Sequence, residues 1–218
     1  MKVYMLTNSK GESYGGTQWR EGVTHCSLDL IHLYEHPLLA VLLNPMYANF
    51  TNPILWEGEA EIVTNDNGLG LGAKEATTHQ QIPLPRVTLE QRVTFGILCA
   101  LEVYREKGWV KWAQGWLNGT NRSERTARAE ERAAWVTEAA SSAVSAAESA
   151  EAASSAAAWS VSRSAEAAKE VAEASAWAAG AAAESAGAAK RLLNLVALAQ
   201  MAVARGGPLY CNGVKEAT

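Results

Sequence analysis

From Ser123 to Arg205 the chain runs without a proline, and about two residues in five are alanine, with Glu and Arg interspersed. Its densest part, AASSAVSAAESAEAASSAAAWSVS (139–162), is almost wholly small side chains around one tryptophan. Such a composition favours helix and excludes a conventional large-residue core. One unbroken helix over this span would reach roughly 125 Å at 1.5 Å per residue. It would align Trp159 with Trp177 but leave Trp135 about 120° away. Large residues at sustained heptad positions are also missing, so a leucine-type coiled coil is disfavoured. A bundle of shorter helices fits better, because small side chains let helix axes approach closely. In that arrangement Trp135, Trp159 and Trp177 plug the gaps. Ser123, Ser141, Ser154, Ser164 and Ser175 are candidate caps, and Gly180 and Gly187 are candidate breaks. SAEAA recurs at 149–153 and 164–168, which fits either compositional drift or a stacked helical repeat.

The first part of the chain has a different grammar. VYMLT (3–7) reads as a strand, with YGGTQW (14–19) as its hairpin partner. DLIHLY (29–34) reads as another. Pro37 suits the first turn of a helix carried by LLAVLL, and Asn44-Pro45 is expected to stop it. ILWEGEAEIV (54–63) alternates: Leu55, Glu57, Glu59 and Glu61 fall on a wet face, and Ile54, Trp56, Gly58, Ala60 and Ile62 on a buried one. NDNG (65–68) is a turn before a return strand near 69–76, and IPLPRV (82–87) is an extended linker. Thr88 and Gln91 then form a capping box for a helix that Gly108 ends, and WVKWAQGWLNG (109–119) forms a second. The expected fold is α+β: a small antiparallel-sheet module (1–87), Trp-rich helices (88–119), an alanine-rich bundle (123–205) and a short tail (206–218).

Charge and chemistry narrow the function classes. The formal charge of −4 argues against nucleic-acid binding, and no charge-free apolar run is long enough for a membrane. Cys26, Cys99 and Cys211 are far apart and lack a CxxC pair, so neither a disulfide framework nor a zinc knuckle is expected. The expected compartment is a reducing cytosol. Neither metal nor cofactor is expected: His32 and His36 are four apart, but Pro37 prevents one continuous helix through them. Glu57, Glu59 and Glu61 read as a solvated strand face, GLGLG (68–72) as a hairpin, and Cys99 as core. Trp109, Trp112 and Trp116 share one helix side, which suits core first and an interaction surface second. No catalytic constellation is recognisable.

KVYMLTNSKGESYGGTQWREG, followed by IHLYEHPLLAVLLNP, resembles proteins of phages and prophages in which this module precedes Ala- and Trp-rich helical tails. The resemblance covers about residues 1–122 and implies phage context in a host cytoplasm. The order of strand, glycine hairpin and IHLYEHP before a helix also resembles ADP-ribosyltransferase-like folds, which hold NAD through an Arg or His on the first strand. Here Tyr4 stands at that place. The leading expectation is a non-enzymatic accessory protein that binds a host or defence protein. The second is a nucleotide- or NAD-binding protein or sponge whose pocket is lined by Trp19, His32, Tyr34 and His36. The third is a self-associating structural oligomer.

Overall fold

The computed structural model describes residues 1–122, 157, 168–188 and 193–205. The fold is α+β. Strands β1 (Lys2–Thr7), β2 (Thr24–Leu33), β3 (Ile54–Ala60), β4 (Thr64–Asn65) and β5 (Leu71–Ile82) form one antiparallel sheet in the order β1-β3-β5-β2, with β4 on β5. The two outer strands meet. Tyr4 and Tyr34 exchange both backbone hydrogen bonds at 2.8 Å, so the sheet curls into a small barrel closed at that bridge. The expected hairpin of 3–7 with 14–19 is not formed. β1 pairs with β3 from Lys2↔Glu59 to Thr7↔Ile54, and 8–23 is a loop folded over the barrel. Asn8 shapes that loop: its side-chain oxygen accepts from the amides of Lys10 and Glu12. β2 begins five residues before the expected DLIHLY strand, at the polar run THCS, where apolar alternation gives no signal.

Strand alternation divides the sheet between two cores. Val3, Met5, Leu33, Trp56, Leu71 and Ala73 point into the barrel, where Trp19 from the loop joins them. Leu6, Tyr34 and Leu55 point outward and join the helical core. Leu55 is therefore 1% exposed, a correction to the wet face expected for it. Farther along the same face, Glu57 is half-buried and pairs with Lys2 at 2.8 Å, while Glu59 and Glu61 are exposed.

The helices are α1 (Pro37–Tyr47), α2 (Leu89–Val103), α3 (Lys107–Leu117), α4 (Ala168–Ala188) and α5 (Leu195–Arg205). Pro45 does not stop α1. A proline lacks the amide that would bond the carbonyl four residues back. The Val41 carbonyl instead accepts from Arg92 Nη1 of α2 at 3.3 Å, and the helix continues to Tyr47. Thr88 and Gln91 complete both halves of the capping box. α2 ends at Val103, before Gly108, which lies inside α3. Glu106 caps α3 by accepting from the Trp109 amide at 2.7 Å. The outward core runs across the extended 83–88 segment, combining Leu39, Leu43 and Leu55 with Phe95, Trp109 and Val171.

α4 shows how small residues pack. Val171, Ala174, Ser175, Ala176, Ala178, Ala179, Ala182, Ala183, Ser185 and Ala186 form its broad buried stripe. A side chain at Gly96 of α2 would lie 3.3 Å from the Ser175 Cα, so the two backbones approach closely. Trp177 lies opposite this stripe at roughly 100° per residue and is 57% exposed, so it plugs no gap. Trp135 and Trp159, like Ser123, Ser141, Ser154 and Ser164, lie outside the described residues. Ser175 is buried within α4 rather than capping it. Gly180 and Gly187 do not break α4; they leave room for the side chains of Met46 and Asn67.

Candidate ligand-binding cleft

Beyond the Tyr4–Tyr34 bridge β1 and β2 do not pair, and a cleft of about 480 Å³ opens between them. β1 supplies Met5 and Leu6. β2 supplies His25, Asp29, Ile31 and His32, on a stretch whose pairing with β5 shifts register between Cys26 and Ile31. Ser13, Tyr14, Thr17 and Trp19 come from the covering loop, and Tyr47, Ala48 and Phe50 from the end of α1. The size suits a compact organic ligand.

Aromatic rings dominate the wall. Trp19 and His25 have centroids 3.9 Å apart at a 46° tilt. His32 meets Tyr34 edge-on at 4.8 Å and Tyr47 at 4.3 Å. Gly70 lies behind His32, where a methyl group would fall 2.2 Å from the imidazole. His32 keeps contact with water at the mouth, but this crowding lowers its pKa by desolvation, against the opposing pull of Asp66. Burial lowers that of His25 as well. Both imidazoles are therefore mainly uncharged at neutral pH. Burial raises the Tyr34 and Tyr47 hydroxyl pKa values, so both stay protonated; the Tyr47 hydroxyl donates to Asp66 at 3.4 Å. Trp19 Nε1 and His25 Nε2 are buried without a hydrogen-bond partner among the described residues, as are Trp112 Nε1 and Ser175 Oγ in the helical core.

Of the four residues expected to line a pocket, Trp19, His32 and Tyr34 meet here. His36 does not: its Nδ1 accepts from the Leu38 amide at 3.2 Å as the cap of α1. His25, Asp29 and Tyr47 were not anticipated. Trp109, Trp112 and Trp116 are 1%, 4% and 6% exposed, so they form core and present no indole surface. Cys26 lines the cleft, but its thiol bonds Glu75 at 3.5 Å, which raises its pKa and leaves it protonated. Cys99 is buried, and its pKa is raised in the same direction. Among the described residues no group of three His, Cys, Asp or Glu side chains could hold a metal, and no helix is long and apolar enough to cross a membrane. Comparison with protein-family models, curated proteins and solved structures finds no match.

Proposed function

We propose that this chain is a non-enzymatic binding protein that captures a compact organic ligand between the aromatic faces of the β1–β2 cleft. The observation that carries this reading is the convergence of Trp19, His25, His32, Tyr34 and Tyr47 on one cavity. The protonated Cys26 thiol is a poor nucleophile, which favours capture over covalent chemistry. A ligand-observed NMR screen of small flat and small cationic molecules against the whole chain tests it. Hits are expected with Kd below about 1 mM. Ser27→Trp, which fills the cleft from a strand position, should weaken them at least tenfold. If no compound binds, or if Ser27→Trp binds as well as the parent, the reading fails.

A second reading is attachment to a host or defence macromolecule by an accessory protein of phage origin. It is favoured by exposed apolar side chains: the lining residues Tyr14 and Leu30 are 83% and 43% exposed, and Leu28, between the lining residues Ser27 and Asp29, is 97% exposed. Under this reading Leu28→Asp abolishes capture of a partner yet preserves the melting temperature. Capture unaffected by that substitution counts against it. In both readings residues 123–205 complete an alanine-rich helical bundle, a proposal supported by the small-residue stripe of α4.

A further inference from the structure

We infer that the ligand of the β1–β2 cleft is an organic cation: an alkylammonium, a guanidinium or a positively charged heterocycle. This rests on the small-ligand reading above and narrows it. Among the described residues of the lining, Asp29 is the one formally charged side chain, and neither Lys nor Arg contributes. Asp66 stands behind Tyr47, bonded to its hydroxyl. α1 enters the cleft wall by its C-terminal end, at Tyr47 and Ala48, where the helix dipole is negative. Phosphate groups are ordinarily received at the opposite end of a helix or by cationic side chains, and neither faces this cavity. The Lys74 amine donates to the Leu28 carbonyl and is not in the lining.

The rings supply the complementary half. Tyr14, Trp19, Tyr34 and Tyr47 are among the residues that line the cavity, and Trp and Tyr rings attract cations that have shed water. With both imidazoles uncharged, no positive group among the described lining residues opposes such a ligand. A nucleotide, by contrast, would bring its phosphates to Asp29 and the negative helix end.

Calorimetric titration of the full chain in low salt distinguishes the cases. The probes are tetramethylammonium, agmatine, a peptide bearing trimethyl-lysine, adenosine and AMP. The cations are expected to bind and AMP is not. Binding of the free amines assigns a small-molecule ligand, and binding of the peptide alone assigns a partner's side chain; either outcome supports a cationic ligand. Asp29→Asn, at an exposed position, should weaken cation binding about fivefold, as expected for a solvent-screened charge. Glu61→Gln, an exposed carboxylate outside the cleft, should leave it unchanged. If adenosine binds and the cations do not, the cleft stands as a ligand site and its proposed charge preference is overturned. AMP binding as tightly as the amines also overturns it. If none of the five binds, the charge inference and the small-ligand reading fail together.

Discussion

Phe95→Ala should lower the unfolding free energy by about 3–5 kcal/mol, the usual cost of emptying an aromatic site in a closed core. Phe95 is fully buried near the middle of α2, and every residue from Val93 to Ala100 is buried with it. A helix enclosed on all sides has little freedom to collapse onto a void. Its neighbours add stiffness. α2 meets α4 through Gly96 and Ser175, where the backbones are already close. At roughly 2–4 °C per kcal/mol for a chain of this size, the melting temperature should fall by about 6–20 °C. Phe95→Leu, which keeps most of the volume, should recover more than half of the loss. Urea titration measures both variants. A loss under about 1 kcal/mol for Phe95→Ala would mean that α2 is not enclosed in solution.

Gly58→Ala should cost about 3 kcal/mol, the upper part of the usual range for overpacking. A methyl group there would sit 2.2 Å from the Thr77 carbonyl oxygen, a backbone atom that cannot swing aside. The closeness arises from a bulge: Glu57 pairs with Gln80 but Gly58 pairs with Thr78, so β5 carries His79 as an extra residue. Thr78 also holds the covering loop, since its hydroxyl contacts the carbonyls of Arg20 and Val23. Separating β3 from β5 would therefore disturb Trp19 as well, and ligand binding should weaken along with stability. Gly15→Ala, where a methyl group meets nothing within 4 Å, should change stability by less than about 0.5 kcal/mol. Equal melting curves for the two variants would refute the packing argument.

Local signals carried much of this fold. The capping box at Thr88 and Gln91, the alternation from Trp56 onward and the NDNG turn depend on neighbours in sequence, and the structure has all three. What failed depends on distant partners. Nothing near Asn44-Pro45 reveals that Arg92 will supply the missing donor. YGGTQW looks like a strand because its role, delivering Trp19 to a barrel interior built by other strands, has no periodicity. Trp177 was placed inward by size, yet the alanine stripe of α4 leaves it on the outer side. The cleft was half legible. Trp19, His32 and Tyr34 stood out as polar aromatics in the first module. Tyr47 lies beyond the proline at which the sequence predicts the end of α1, and His25 falls in a polar run with no strand signature. That these side chains share one wall follows from how β1 and β2 separate, a tertiary fact without a local code.

The Arg92 guanidinium gives α1 a support that originates in another helix. Tyr47 stands only two positions past Pro45, so the turn that aims its phenol relies on a clasp made from behind. If the cleft binds a ligand as proposed, substitutions on α2, remote from its mouth, become levers on affinity that touch no residue lining it.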